Sequence, residues 1–495
     1  MKTQLLLIVL SITTLFPLVS RAQVKWQNDS VTINGEVVNY NKSTDSKVVQ
    51  FFFKNDLTYR NLQKVYAPEI DSNGCFQLKV PLLYPLDFVV IYKSRYKFLC
   101  APGDSLFLEI DAENIKVTKG TRIEDNNLLR DFMQGLPRSD YYKESRDNAL
   151  THKLPNDFKA YISGRENEFR TSWKEFKKSN KTTTFFNEWV EDYLKYETLS
   201  DLMNYPWCYA NDNKIEVDSL ELPIDYYDLL AERNLNDCSI ISSRHADFLY
   251  DYYRWVLSNP RDSVIKANDY FHNQGIVAGA EILLRMIRRN TFGFTQNLAL
   301  TRFYIDAIEG QQLDEFEALY DSTLITDPFF KSIIIAEHAK LKKYIANQIT
   351  DGANLRTIKS SIVKDLIDTL ITKYTGKIVY VDFWAPWCSP CMGEMPFSKK
   401  LQEDYNNKEV VFLYLANRCT EAAWKATIAN EELTGEHILL TNDQYAILSA
   451  EFGITGIPHY VLIDKKGTIV SKSAPRPSQK AAIVKSINDL LWMNQ

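Results

Sequence analysis

The chain has 495 residues, of which 45% are hydrophobic and 24% are charged, and its 58 Lys and Arg against 63 Asp and Glu leave a formal net charge of −5. This length predicts about three domains of roughly 150 residues each, and the composition excludes disordered, collagen-like, coiled-coil and polytopic membrane proteins. No run of Lys and Arg could neutralise a row of phosphates, so we expect no nucleic-acid partner.

Residues 1–22 have the pattern of a secretory signal peptide. Lys2 precedes an apolar run from Leu5 to Val19. Ser20-Arg21-Ala22 then places small residues at the two positions that a signal peptidase recognises. The run is shorter than the ~20 residues that a membrane span needs, which disfavours an uncleaved anchor. We therefore expect cleavage after Ala22 and export to the periplasm. In that oxidising compartment an odd number of cysteines, here seven, leaves at least one free, intermolecular or reactive.

Residues 23–112 alternate apolar and polar side chains between turn clusters such as Asp71-Ser72-Asn73-Gly74. This period of two predicts short strands and an antiparallel β-sandwich, with a small barrel as the alternative. No residues in this module have catalytic spacing, so its expected role is structural or docking. The predicted strands are Val31–Val38, Val48–Phe53, Cys75–Val80, Phe88–Tyr92 and Leu106–Ile110.

Residues 113–350 change to a helical period, with apolar residues three and four positions apart. The pattern predicts an all-α middle region. An aromatic stripe from Phe248 to Trp255 is typical of a packed core, with a groove for a partner as the alternative. The predicted helices are Phe158–Lys178, Phe185–Asn204, Ala246–Leu257, Ile276–Arg289, Leu298–Ile308 and Phe329–Ile349.

Residues 351–495 alternate strands and helices, which predicts an α/β domain. Ile378–Phe383 is a nearly continuous apolar strand of the kind that is buried on both faces. A closing helix follows Pro477, with Ser478 as the expected N-cap. The other predicted elements are a helix at Ile362–Tyr374, a strand at Val410–Ala416, a helix at Gln444–Phe452, and strands at His459–Asp464 and Thr468–Ser471.

Two cysteines, Cys388 and Cys391, stand three positions apart where the first of these strands gives way to a helix. The N-terminus of a helix presents unpaired N–H groups and the positive end of the helix dipole, which stabilise a thiolate at Cys388. We therefore expect Cys388 to attack a substrate disulfide, and Cys391 to resolve the mixed disulfide and release reduced substrate.

The segment from Val381 to Cys391 resembles the active site of the thioredoxin family, and Gly456-Ile457-Pro458 resembles the cis-proline loop of that family. The continuation Cys391-Met392-Gly393-Glu394-Met395-Pro396 resembles the exported reductases of the TlpA/ResA type. The resemblance covers under a third of the chain and implies a thioredoxin fold for residues 351–495. It also implies a thiol-disulfide oxidoreductase, and the β-rich module is similar to those found ahead of thioredoxin domains in secreted bacterial proteins.

The resemblance implies roles for individual residues. Asp382 resembles the buried acid that accepts the proton of the resolving thiol, a role that desolvation of a carboxyl suits. Glu394 matches a glutamate that is implicated in tuning the cysteine pair. Pro458, together with Ile457, is expected to keep a backbone edge open for an extended substrate, and Trp387 is expected to contact that substrate.

Each of these assignments has a structural alternative. Asp382 could be solvated or merely structural, Glu394 a helix-surface acid, and Trp387 a packing ring. Two residues depart from the family pattern. His459 follows the cis-proline and is either a proton donor or an outward-pointing side chain, and Cys419 is either a third redox thiol or an isolated cysteine.

Other functions fit these features less well. A zinc site would need two more ligands, but there is no second Cys-x-x-Cys and the six histidines are scattered. A peroxidase of the peroxiredoxin type would show Thr-x-x-Cys without the cysteine pair, and that context is absent. The remaining alternative is a secreted binding or scaffold protein in which the first 350 residues engage a partner and the redox domain is ancillary.

The sequence thus predicts a periplasmic thiol-disulfide oxidoreductase that uses neither a cofactor nor a metal. Pro390 before the second cysteine is the thioredoxin-like arrangement, and by resemblance it favours a reductase. The expected partners are exported proteins with disulfides or thiols and a membrane protein that donates electrons. The pairing of Cys75, Cys100, Cys208 and Cys238 and the oligomeric state stay open.

Overall fold

The computed structural model describes residues 26–58, 63–111, 114–136, 150–231, 242–258, 276–349, 351–359, 372–406 and 408–492. These residues form two compact units, one built from residues up to 258 with 290–296 and the other from 276–289 with 297 onward. The predicted signal peptide, Cys238 and most of the predicted helix Ile362–Tyr374 lie outside the described residues. None of the described helices combines the length and the apolar character that a membrane span requires.

The first unit begins with two four-stranded sheets. Their strands are β1 (Asp29–Val37), β2 (Gln50–Phe53), β3 (Lys64–Tyr66), β4 (Cys75–Leu82), β5 (Leu86–Ile91), β6 (Arg95–Cys100), β7 (Ser105–Asp111) and β8 (Asn114–Gly120). The strand orders are β4-β1-β7-β8 and β3-β2-β5-β6. Alternate residues of β1, β2 and β7 are buried. Phe51 of one sheet contacts Phe76 of the other, with ring centroids 5.8 Å apart. All five predicted strands are present.

The prediction of a purely antiparallel sandwich is wrong for one strand pair, because β1 and β7 run parallel. Parallel neighbours need a crossover connection, and the strands β5 and β6 of the other sheet supply part of it. The β-rich region also continues to Gly120, past the predicted boundary at residue 112. In β8 the buried pair Ile115 and Val117 is separated by Lys116, so its apolar pattern was too short to recognise.

Helices complete the first unit: α1 (Ile123–Gly135), α2 (Pro155–Ser179), α3 (Thr184–Asn213), α4 (Asp228–Ala231) and α5 (Ser243–Ser258). The predicted helices in this region are present with slightly longer bounds, whereas α1 and α4 were not predicted. Within the aromatic stripe on α5, Phe248, Tyr252 and Tyr253 are buried. The stripe therefore packs a core and does not line an open groove.

Asp87 connects the sheets of the first unit to its helices. It stands in β5, is 1% exposed, and accepts hydrogen bonds from Lys97 Nζ at 3.1 Å and from Trp189 Nε1 on α3 at 3.0 Å. A third hydrogen bond comes from the backbone N–H of Ser243, at the start of α5, at 2.9 Å. The hydrogen-bonding capacity of this buried carboxyl group is thus met by donors from a neighbouring strand and two helices.

We expect Asp87→Ala to lower the free energy of unfolding of this unit by about 3 kcal/mol, because the Lys97 ammonium would lose its carboxylate partner and the Trp189 N–H would lose its acceptor. Hydrogen–deuterium exchange of peptides covering β5 and β6 measures the change. The matched control is Asp111→Ala at the exposed end of β7, which should cost less than about 0.5 kcal/mol. Equal effects of the two substitutions would contradict the assigned role of Asp87.

The second unit contains most of α6 (Ile276–Asn290) and of α7 (Gly293–Glu309), whose residues 290–296 belong to the first unit. It also contains α8 (Leu313–Leu319), α9 (Pro328–Ala346) and a C-terminal α/β domain. The elements of that domain are β9 (Ala353–Thr357), β10 (Ile378–Trp384), α10 (Ser389–Asp404), β11 (Val410–Ala416), α11 (Glu421–Asn430), β12 (Gly435–Leu439), α12 (Asn442–Phe452), β13 (His459–Ile463), β14 (Ile469–Ser471) and α13 (Lys480–Trp492). Its six strands have the order β14-β13-β10-β11-β12-β9.

Strand β10 lies in the middle of this sheet, parallel to β11 and antiparallel to β13. Ile378, Tyr380 and Trp384 join a core with α10, α11 and α13, while Val379 and Phe383 join a second core with α12 on the other face. The buried parallel strand and the α/β layers are as predicted. β9, α11 and β12 were missed because they are short and carry polar residues between their apolar ones.

Candidate active site

The two cysteines of the Cys-x-x-Cys segment lie at the junction of β10 and α10. Cys388 is the N-cap of α10, and its Sγ accepts the backbone N–H of Cys391 at 3.2 Å. The structure joins Cys388 and Cys391 in a disulfide, with their Cα atoms 5.2 Å apart. The backbone N–H of Cys391, in the first turn of the helix, therefore points at the Cys388 sulfur, which is the geometry that stabilises a thiolate there once the pair is reduced.

Little of the cysteine pair is exposed to solvent. Cys388 is 4% exposed and Cys391 1%, so Cys388 is the more accessible sulfur of two that are both nearly covered. The residues that reach solvent beside them are Ser389, Pro390 and Trp387, which is 37% exposed. The Trp387 indole is held in place because its Nε1 donates a hydrogen bond to the carbonyl oxygen of Arg418 at 2.8 Å.

The loop before β13 forms the other side of the site. The Ile457–Pro458 peptide bond is cis, and the carbonyl oxygen of Ile457 lies 3.6 Å from the Sγ of Cys388. Both residues are half-buried. The structure therefore brings Ile457 and Pro458 next to the cysteine pair, with Trp387 adjacent to Cys388 in the chain.

Asp382 lies inside the domain, in the fully buried strand β10. It is 3% exposed, and neither carboxylate oxygen makes a hydrogen bond of ordinary geometry within the described residues. Burial raises the pKa of Asp382 well above its usual range, the nearby charge of Glu394 raises this pKa further, and the Tyr460 hydroxyl acts in the opposite direction. The solvated alternative for Asp382 is excluded by its burial.

The raised pKa of Asp382 makes the stability of the domain depend on pH. Because the folded-state pKa exceeds the unfolded one, the stabilisation is complete below the ordinary Asp value of about 4 and is lost as pH rises through the raised value. We expect the opening free energy of β10 in the wild type to fall relative to that in Asp382→Asn by up to about 1.4 kcal/mol per pH unit in this window.

Hydrogen–deuterium exchange of β10 peptides in the oxidised protein between pH 5 and pH 8, corrected for the intrinsic exchange rate, gives this slope. The exposed Asp443 in the first turn of α12 provides the control, and Asp443→Asn should keep the wild-type slope. Parallel curves for the wild type and Asp382→Asn would show that Asp382 is not the buried acid described above.

Glu394 lies on α10 and is buried, so it is not a helix-surface acid. Its two carboxylate oxygens accept the backbone N–H of Ser478 at 2.9 Å and the Ser478 hydroxyl at 2.8 Å. Ser478 was the predicted N-cap of the closing helix. That helix begins at Lys480, and Ser478 donates its hydrogen bonds to Glu394 instead. Glu394 thus joins α10 to the segment before α13 and raises the pKa of Asp382.

His459 and Cys419, the two residues that depart from the family pattern, each contact other parts of the domain. The Nε2 of His459 lies 2.6 Å from the carbonyl oxygen of Lys472, so this ring nitrogen is engaged with the backbone. Cys419 packs against the core beside β10, and burial raises its pKa to about 12. A thiol with so high a pKa forms little thiolate near neutral pH, so the isolated-cysteine alternative is favoured for Cys419.

Cys75 is exposed, Cys100 is buried, and neither forms a disulfide. A pairing of Cys75 with Cys100 is therefore absent from the structure. Within the described ranges, no three His, Cys, Asp or Glu side chains converge as a metal site would require.

Three tyrosines that the sequence reasoning missed surround Asp382: Tyr380 on β10, Tyr414 on β11 and Tyr460 on β13. Residues 382, 414 and 460 share one row across the sheet, and the rings of Tyr380 and Tyr460 stack with centroids 5.4 Å apart. The signal was present in the sequence, since a tyrosine precedes Asp382 by two positions and so lies on the same face of the strand. Strand register was needed to find the other two.

Comparison with known proteins gives the family of the C-terminal domain. The Redoxin family model matches residues 350–491. A thiol-disulfide oxidoreductase ResA from Bacillus cereus is 32% identical over 97 residues, which make up 20% of this chain and 54% of that relative. The C-terminal domain belongs to the thioredoxin family and is TlpA/ResA-like.

Other relatives of the thioredoxin-family domain have similar coverage of this chain. The thioredoxin-like protein YneN of Bacillus subtilis is 32% identical over 96 residues, 19% of this chain and 54% of that relative. The thioredoxin domain of a thiol-disulfide oxidoreductase from Bacteroides vulgatus, known from its crystal structure, is 26% identical over 24% of this chain and 82% of its own, with a TM-score of 0.22. The matches span little more than half the length of the two Bacillus relatives.

Proposed function

We propose that the protein is an exported thiol-disulfide oxidoreductase that reduces protein disulfides through Cys388 and Cys391. The observation that carries the proposal is the N-cap position of Cys388 beside the cis Ile457–Pro458 bond, with a buried acid, Asp382, in the preceding strand. The family of the C-terminal domain supplies the reaction class.

In the proposed reaction the reduced pair meets a substrate disulfide at Cys388. The Cys388 thiolate attacks one substrate sulfur, a mixed disulfide forms, and the other substrate sulfur leaves as a thiolate. Asp382 then accepts the proton of Cys391, and the Cys391 thiolate attacks the Sγ of Cys388. The second substrate sulfur leaves, so two electrons pass from the cysteine pair to the substrate and the disulfide seen in the structure is restored.

The buried environment of Asp382 suits this role. A carboxyl whose pKa is raised by burial and by Glu394 holds a proton more tightly than an exposed carboxylate, which brings its proton affinity closer to that of a thiol. Trp387, Ile457 and Pro458 frame the Cys388 side and are the proposed contacts for an extended substrate segment. The half-buried backbone before β13 offers it hydrogen-bonding groups.

We expect Cys388→Ser to reduce the catalysed reduction of insulin by dithiothreitol at least about a hundredfold, because the attacking sulfur is lost. Cys391→Ala should instead accumulate mixed disulfides that mass spectrometry identifies, since the resolving thiol is missing. Cys419→Ser is the matched control and should keep the wild-type rate. An unchanged rate in Cys388→Ser would exclude this cysteine pair as the reacting centre.

The direction of electron flow is proposed from Pro390, which gives the pair the thioredoxin-like sequence. We expect a glutathione redox titration of the purified protein to give a potential nearer the roughly −270 mV of thioredoxin than the roughly −120 mV of the strongly oxidising type. A potential near the oxidising end would reverse the proposed direction and make the protein an oxidase of thiols.

The proposed setting is the periplasm, reached by the signal peptide at residues 1–22. A reductase in an oxidising compartment has to be recharged, so we infer an electron-donating membrane partner. The proposed clients are exported proteins whose disulfides need reduction, including apocytochromes and misoxidised proteins.

A binding role for the first unit is the second candidate function. The unit contains a cavity of about 980 Å³ between the sheet β3-β2-β5-β6 and helices α1, α3 and α5. Its volume is that of a ligand site, and cationic side chains outnumber acidic ones around it. The cationic residues are Lys54, Arg95, Lys97, Lys116, Arg130 and Arg244. Partner capture that persists in Cys388→Ser would favour this candidate.

A further inference from the structure

We propose that Tyr460 is a positioning residue for Asp382: its hydroxyl donates a hydrogen bond to the ionised Asp382 carboxylate and so favours the form of that group that accepts a proton. The inference rests on the proposed function, in which the proton comes from Cys391. Tyr460 lies two positions after the cis proline, at the beginning of β13.

Strand register places the two side chains together. Asp382 on β10 and Tyr460 on β13 are direct partners in the antiparallel pair. Residues that are directly opposite in such a pair have Cβ atoms about 4.5–5.5 Å apart and share one face of the sheet. The face is dry, since Asp382 is 3% exposed and Tyr460 2%.

The other two phenols near Asp382 are already engaged. The Tyr380 hydroxyl donates to the carbonyl oxygen of Pro475 at 2.7 Å, and the Tyr414 hydroxyl shares a 2.8 Å hydrogen bond with Ser398 Oγ. The Tyr460 hydroxyl makes no ordinary hydrogen bond to another described residue, and the same is true of both Asp382 oxygens. A buried donor and a buried acceptor that are both unpaired are costly, so each is the natural partner of the other.

No charged group that the structure describes beside Asp382 already does what we propose for Tyr460, which is to favour the ionised carboxylate. Burial and then Glu394 on α10 raise its pKa, and Tyr460 lowers it. Among the described residues, the other titratable groups on the same side are phenols, thiols and one imidazole: Tyr380, Tyr405, Tyr414, the cysteine pair at the start of α10, Cys419 and His437. His437 stacks on Tyr414, and burial lowers its pKa to about 4, so this imidazole is neutral near pH 7. In the described part of the chain, no Lys or Arg forms an ion pair with Asp382. A neutral donor is therefore what favours its charged form.

The test compares Tyr460→Phe with Tyr380→Phe, which removes a hydroxyl from the stacked neighbouring ring. Infrared spectroscopy of the oxidised protein follows the protonated-carboxyl band that is missing in Asp382→Asn, as a function of pH. We expect Tyr460→Phe to move the midpoint of this band upward by about one pH unit and Tyr380→Phe by less than about half a unit. Equal shifts in the two variants, or none in Tyr460→Phe, would overturn the proposal.

The rate of disulfide exchange adds a second measurement. The pH profile of insulin reduction by Tyr460→Phe should move upward with the infrared midpoint, so that the rate at pH 7 falls about three- to tenfold. A shifted band with an unmoved pH profile would refute the link from Tyr460 to proton transfer. If the wild type is inert toward disulfides, the proposed function fails, while the infrared titration still decides whether Tyr460 holds Asp382.

Discussion

The burial of β10 on both faces is the constraint on which the rest of the C-terminal domain depends. All seven of its residues are buried, with Tyr380 and Trp384 toward one core and Val379 and Phe383 toward the other. A strand held in this way ends at one defined point, where the chain turns into α10. The cysteine pair is positioned by that junction, with Cys388 as the N-cap of α10.

The same burial produces the electrostatics of the site. A carboxyl in the middle of a dry strand has lost its water, and among the described residues the groups beside it that could stabilise its charge are neutral hydroxyls and backbone. Glu394 is a second buried acid, on the facing helix, and its two oxygens accept hydrogen bonds from Ser478. Asp382 lacks such ordinary partners among the described residues, and burial raises its pKa well above its usual range.

In the first unit a buried acid joins secondary-structure elements to one another. Asp87 collects donors from a strand and from two helices, and these contacts hold the elements of the unit together. Comparison of Asp87 with Asp382 shows why burial alone does not identify a functional acid: the carboxylate of Asp87 has three hydrogen-bond donors, whereas that of Asp382 lacks ordinary partners among the described residues. A buried acid whose pKa is raised well above its usual range, as that of Asp382 is, is the stronger candidate for proton exchange.

The sequence by itself determined the strand Ile378–Phe383, the cysteine spacing and the cis-proline segment, because each is a local pattern of a few adjacent residues. The helical and β-rich regions were predictable for the same reason, from periods of about 3.6 and 2. Only the tertiary structure decided the parallel pairing of β1 with β7, the use of Ser478 by Glu394 and the tyrosines around Asp382. These features join residues that are tens of positions apart, and strand register and helix packing, which no local pattern encodes, bring them together.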